Sequence, residues 1–284
     1  MKAWETSAKL DGRFPTVWRN LALAYFNKKG MVEKAIECME YAFELDTTDA
    51  RILMELDQLY KRVQRSHNER LAFLQKYPEL IAQRDDLVLE EITLLNQTGA
   101  YEKAKTLLDA HIFHPWEGGE GKVPGQYQFA RVELAKQALD AGNYRKAIAY
   151  LEECLVYPHH LGEGKLYGTQ ENDFYYFLGC AYDGLGESRK AKECWEQAIG
   201  GPVEPAAALY YNDAKPDKIF YQGLALLRLG RTDEANGRFH RLISYGEKHL
   251  FDKVKMDYFA VSLPDLLIWE DDLDVRNKVH CKYM

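Results

Sequence analysis

Cysteine is scarce, with five in 284 residues at positions 38, 154, 180, 194 and 281. No two form a C-x-x-C pair, so zinc-ribbon and thioredoxin-type chemistry lack their ligands and redox couple. An odd number, set within helical patterns rather than loops, fits small buried apolar side chains in a reducing cytoplasm. No run approaches the roughly 18 apolar residues of a membrane-spanning helix. Met1-Lys2-Ala3-Trp4-Glu5 enters an amphipathic pattern directly, without the apolar core of a signal peptide. Positive charge is not in excess: the formal net charge is −7. That balance counts against nucleic acid and against anionic membranes as partners.

Helical periodicity is abundant. Tyr175, Leu178, Gly179 and Tyr182 share one face, followed by Gly186 and then Ala191, Trp195 and Ala198. Trp18, Leu21, Ala22 and Tyr25 repeat the first half, Gly30 breaks that helix, and Ala35, Met39 and Ala42 supply the second, ending near Asp46. Leu134, Ala135, Gly142, Tyr144, Ala147 and Leu151 fall in the same register, as do Gln222, Gly223, Leu226, Gly230, Ala235, Phe239 and Leu242. Small residues at fixed positions let paired helices approach closely. The pattern resembles the tetratricopeptide repeat, a helix-turn-helix of W-x2-L-G-x2-Y…A-x3-F type. The resemblance implies an all-α, right-handed α-solenoid of about six helical hairpins.

Two units depart from the pattern. Asp49 to Leu80 carries stripes of Leu53, Leu56 and Tyr60 and of Leu71, Leu74 and Tyr77-Pro78, but its turn at Arg65-Ser66-His67-Asn68 lacks glycine. Leu87 to His111 keeps Gly99, Tyr101, Ala104 and Leu108, with Glu91 where leucine is expected. At the end, Leu250 to Val261 reads as a helix, Pro264 opens a short one, and Asp274 to Met284 reads as half a hairpin without a partner. Met1 to Leu10 is likewise an unpaired helix end, stopped by Asp11-Gly12. Residues 1–284 therefore read as a single repeat domain cut from a longer array.

The inter-helix glycines at 99, 142, 186 and 230 are 43, 44 and 44 residues apart. A standard unit is about 34 residues, so each step carries an insertion. Two of these echo each other: His114-Pro115-Trp116-Glu117-Gly118-Gly119-Glu120-Gly121-Lys122 and Tyr157-Pro158-His159-His160-Leu161-Gly162-Glu163-Gly164-Lys165. Each is expected to run on as loop, through Gly125-Gln126-Tyr127 and Gly168-Thr169-Gln170. Equivalent insertions of a solenoid emerge on one edge, which would gather Trp116, Glu117, Glu120, Lys122, His159, His160, Glu163 and Lys165. A third connection, Glu204 to Asp217, adds Tyr210, Tyr211, Asn212 and Asp213.

Three readings fit the paired loops: glycine turns with local Glu and Lys links, a patch for a sugar or peptide, and paired carboxylates for glycosidase-type acid/base work. A phosphate loop does not fit, because Trp116 and His159 stand where G-x-x-x-x-G-K-[ST] needs glycine. His114, His159 and His160 lack an H-E-x-x-H frame or a cysteine companion for zinc. We expect no metal and no cofactor. The loops also resemble the C-terminal repeat region of large bacterial proteins that carry a preceding, carbohydrate-associated domain. That resemblance implies an accessory module whose loops face the other domain or its glycan.

In tetratricopeptide proteins the first helix of each pair lines the inner groove. By that resemblance Arg19, Leu23, Phe26, Val132, Lys136, Tyr176, Cys180, Phe220 and Leu224 are groove positions. Leu23 stands where a chaperone-tail clamp would have asparagine, which argues against that clamp. The expected function is non-enzymatic binding or scaffolding in the cytoplasm, with a protein, a peptide or another domain of the same chain as partner. A carbohydrate contact is the alternative.

Overall fold

The computed structural model describes residues 1–207, 213, 215–255 and 268–284. Among these residues there are fifteen α-helices, one 3-10 turn and no strand. The chain packs as two compact units, residues 1–104 with 266–271, and residues 105–265 with 272–284. The first holds α1 (Lys2–Leu10), α2 (Pro15–Lys29), α3 (Val32–Leu45), α4 (Ala50–Arg62), α5 (His67–Leu74), α6 (Pro78–Ile81) and α7 (Asp85–Gln97). Helix α8 (Tyr101–Ala110) runs across the boundary. The second holds α9 (Lys122–Asp140), α10 (Tyr144–Cys154), α11 (Asn172–Gly184), α12 (Ser188–Ala198), α13 (Pro216–Arg228), α14 (Thr232–His249) and α15 (Leu273–Tyr283). Six helix-turn-helix pairs follow one another, α2–α3, α4–α5, α7–α8, α9–α10, α11–α12 and α13–α14, as the repeat pattern requires.

The turns explain the glycines. Gly99, Gly142, Gly186 and Gly230 have φ of 80°, 71°, 76° and 75°. A side chain at each would meet open space, so left-handed backbone alone demands glycine there. At Gly142 the next amide, Asn143, reaches back to the Ala138 carbonyl at 2.8 Å, the 6→1 bond that satisfies a helix C-terminus. The degenerate unit closes the same way without glycine. Gln64 adopts φ 59°, and the Arg65 amide bonds to the Tyr60 carbonyl at 3.0 Å. The expected turn at 65–68 is thus displaced: His67 and Asn68 are helical, and Ser66 caps α5 in a reciprocal pair with Glu69.

Packing follows the same period. Ala104, Ala147, Ala191 and Ala235 are fully buried. Helical Gly179 and Gly223 lie directly against Trp195 and Phe239, where a Cβ would overlap the rings. In the first unit a buried triad joins three helices: Arg70 bonds Asp57 at 2.6 Å and Glu90 at 2.5 Å. Residues 268–271 lie on this unit as well. Buried Trp269 packs edge-on to Phe26 and donates to the Glu55 carbonyl at 2.8 Å.

Several expectations need correction. Gly125-Gln126-Tyr127 is not loop but helix, because α9 begins at Lys122. Residues 251–255 are not helical; the rest of the expected Leu250–Val261 helix, with Pro264, lies outside the described residues. The closing helix has a partner. Asn277 of α15 donates to the His249 carbonyl at 2.8 Å, and Gly246 of α14 sits against the Cys281 carbonyl. Helix α1 also has a neighbour in α2, with Tyr25 donating to Glu5 at 3.3 Å.

Candidate functional site

The two echoed insertions come together, yet their backbones differ. Phe113 donates its amide to the His160 carbonyl at 2.8 Å, and Gly121 donates its amide to Glu163 at 2.8 Å. In the first copy Gly121, the second glycine of Gly-Glu-Gly-Lys, is left-handed at φ 71° and starts α9. In the second copy the first glycine, Gly162, is left-handed at φ 74°, and α11 begins only at Asn172. A Cβ on Gly162 would lie 2.6 Å from the Phe113 carbonyl oxygen. The close approach of the first loop therefore leaves no room for a side chain at position 162.

Between the loops lies a cavity of about 250 Å³ lined by His114, Trp116, Glu117, Glu120, Leu161 and Glu163 among others. Trp116 is half-buried, its ring against Gly119. Burial pushes the Glu163 carboxyl above the ordinary carboxylate range; the Gly121 amide opposes this and Glu120 adds to it. The other expected members face elsewhere. Lys165 pairs with Glu171 at 2.5 Å and donates to the Leu155 carbonyl at 3.0 Å. His160 stands 6.5 Å from the Tyr127 ring, while His159 and Lys122 are exposed outside the cavity lining. Of the third connection, Tyr210, Tyr211 and Asn212 lie outside the described residues. Among the described residues no three His, Cys, Asp or Glu side chains form a group suited to a metal ion.

The larger concavity of the second unit, about 550 Å³, lies on the first-helix faces. Helix α9 supplies Gly125, Phe129, Val132, Glu133 and Lys136, which recur at three- and four-residue spacing and so share one face. Helix α11 adds Asp173 and Phe174 at its N-terminus, α13 adds Lys218, Phe220 and Tyr221, and the end of α15 adds Tyr283 and Met284. The apolar content is unusually exposed: Phe129 keeps 45% and Phe220 44% of its surface in solvent. Beneath them, Tyr221 packs against Tyr176 and Phe177 with ring centroids 5.5 and 5.2 Å apart. Two charge pairs lie within the wall, Lys136 with Glu133 at 2.7 Å and Lys218 with Asp173 at 2.5 Å. Burial raises the Asp173 carboxyl, and the Lys218 ammonium offsets part of that cost.

Of the expected groove residues, Val132, Lys136 and Phe220 line this concavity, whereas Tyr176 buttresses it from below. Arg19, in the first unit, is engaged by the Glu55 carboxylate, which also binds Arg51. Phe26 covers Trp269. Sequence reasoning missed Phe129 and Gly125 because it began α9 after Tyr127. A helix running back to Lys122 places both on the Val132–Lys136 face.

The α11–α12 and α13–α14 pairs match family models. Residues 173–200 and 219–245 each match a family model described as a tetratricopeptide repeat. Solved structures similar to this chain include YrrB, a TPR protein with an unusual peptide-binding site. It shares 18% identity at TM-score 0.44, with 69% of this chain and 91% of that chain covered. A tetratricopeptide repeat protein from Parabacteroides merdae shares 14% at TM-score 0.43, covering 84% and 83%. A Naa15/Naa10 structure bound to HypK-THB shares 14% at TM-score 0.47, covering 87% and 38%. No helix among the described residues is long and apolar enough to cross a membrane.

Proposed function

We propose that this chain is a non-enzymatic scaffold whose second unit holds a peptide segment of a protein partner, or of another domain of the same chain, against the α9–α11–α13 face. The observation that carries the reading is the pair of exposed rings, Phe129 and Phe220, on opposite walls of the 550 Å³ groove. Apolar anchors between first helices of successive pairs suit the side chains of an extended or helical peptide. The paired wall charges leave shape and apolar burial to set affinity, at roughly 25 cal/mol per Å² of apolar surface covered. The five unbridged cysteines support a reducing, cytoplasmic setting. A display of random peptides panned on the protein tests it. Binders should lose at least tenfold in affinity with Phe220→Ala or Phe129→Ala, and binders indifferent to both would overturn the assignment.

A second reading rests on the loop cavity. Trp116 beside Glu117, Glu120 and Glu163 presents an aromatic wall and acceptors at a size that fits one sugar ring. It supports the loops as a glycan or domain contact within a larger bacterial protein. Trp fluorescence during oligosaccharide titration tests it, and the absence of any change that Trp116→Phe abolishes would remove it.

A further inference from the structure

Helix α15 is docked by one face only. Asn277 and Cys281 are buried against α14, His280 meets the Ala206 carbonyl at 2.9 Å, and Asp274 binds Lys253 at 2.6 Å. The opposite face carries Val275, Val279 and Tyr283 at i, i+4 and i+8, with 52%, 64% and 71% of their surfaces exposed. Exposed Lys278 and Lys282 border this stripe. Lys278 and Lys282, four residues apart on the helix, repel each other, and Asp274 four residues before Lys278 offsets only part of this, so an anionic partner would be favoured along the edge.

The same arrangement with opposite sign occurs at the start of the chain. Helix α3 exposes Glu33 and Glu37, again four apart, with Glu44 seven residues further on and Lys34 exposed between the first two. Beside them Tyr41 lies open to solvent and packs edge-on to Trp18 of α2 at 4.9 Å. Phe14, at the entry to α2, is exposed as well. One surface is apolar with a basic border and the other is aromatic with an acidic border, and each carries a self-repelling pair.

We propose that copies of this protein associate head to tail, the outer face of α15 in one copy seating on the α2–α3 face of the next. Lys278 and Lys282 would meet Glu33 and Glu37, and Val275 and Val279 would cover Tyr41 and Phe14. The contact is heterologous: each copy keeps one surface free, so assembly proceeds to a chain or closes as a ring. Val275, Lys278, Val279 and Lys282 lie outside the groove lining, which α15 reaches only through Tyr283 and Met284, and the contact holds whether or not the peptide reading stands.

Sedimentation equilibrium of the whole chain tests this through charge reversal. The wild type should self-associate at concentrations up to about 100 µM, and raising salt from about 0.05 to 0.5 M should weaken association as the Debye length shortens over these exposed charges. Lys278→Glu with Lys282→Glu, and separately Glu33→Lys with Glu37→Lys, should each weaken self-association at least about tenfold. All four positions are exposed, so both variants should keep the wild-type circular dichroism spectrum. Mixed together, the two variants should associate again, because each contact between unlike variants pairs opposite charges. A wild type that stays monomeric, variants that associate as well alone as the wild type does, or a mixture no more associated than its components would overturn the proposal.

Discussion

The Glu163 carboxylate accepts the Gly121 amide at 2.8 Å, tying the second inserted loop to the residue that starts α9. The bond favours the ionised carboxylate, but burial outweighs it and holds the group above its ordinary range. A folded-state pKa raised above the unfolded value means that this group favours folding at low pH, and that its contribution is lost as pH rises through the raised pKa. Glutamine keeps an acceptor for Gly121 and carries no charge. Glu163→Gln should therefore match the wild type in urea unfolding near about pH 4 and exceed it near about pH 7. Glu163→Ala, which strands the amide, should lie about 1 kcal/mol below Glu163→Gln at both. A glutamine variant less stable at neutral pH would show that the charge itself holds the loops together.

How far the sequence foretold these loops depends on which interactions set them. Their adjacency followed from the 43-residue offset between the Gly-Glu-Gly-Lys copies. Their backbones did not, because Gly121 is left-handed in one copy and Gly162 in the other. Local spacing does not decide this, since Gly162 lies against the Phe113 carbonyl, 49 residues away, while Gly119 lies against the ring of nearby Trp116. The turn glycines were legible for the opposite reason: nothing but their own φ determines them. Trp269 on Phe26 joins residues 243 positions apart, and no local pattern announces such a contact. The concavity was half legible, since the resemblance to the tetratricopeptide repeat implied Val132, Lys136 and Phe220, while the early start of α9 hid Phe129.

Gln64 gives a direct test of the turn argument. It holds a left-handed φ of 59° at the position equivalent to the glycines. A residue with a Cβ is strained there by about 1–2 kcal/mol, and glycine's extra unfolded-state freedom returns about 0.5–1 kcal/mol of that. Gln64→Gly should raise stability by a few tenths to about 1 kcal/mol in thermal or urea unfolding. Gln64→Val should lower it, since β-branching suits this conformation least. Equal stability for the two variants would contradict the assigned backbone.

Two helical glycines should respond to alanine with opposite signs. At Gly125 of α9 a Cβ meets open space, so alanine gains helix propensity of about 0.5–1 kcal/mol. At Gly179 of α11 a Cβ overlaps the Trp195 indole, whose Nε1 donates to the Tyr176 carbonyl at 3.3 Å. Displacing that ring costs about 1–3 kcal/mol and outweighs the propensity gain. Differential scanning calorimetry should show Gly125→Ala melting above the wild type and Gly179→Ala below it. If Gly125→Ala also weakens groove ligands, the glycine is kept for access rather than for the helix.

Phe220 and Tyr221 are neighbours in sequence with different duties, and alanine should separate them. Phe220 is exposed on the groove wall and touches Tyr221 and Phe239 at centroid distances of 5.7 Å each. Its removal uncovers little core, so Phe220→Ala should cost about 1 kcal/mol of stability or less while weakening groove ligands at least tenfold. Tyr221 instead ties α13 to Tyr176 and Phe177 of α11. Burial raises its phenol pKa well above the ordinary value, as expected of a ring embedded between helices. Tyr221→Ala should cost about 2–4 kcal/mol by leaving a cavity between the two pairs. Paired urea and binding measurements on both variants check this. Equal loss of binding per unit of lost stability would mean that Phe220 acts only through the fold, and the groove would lose its anchor.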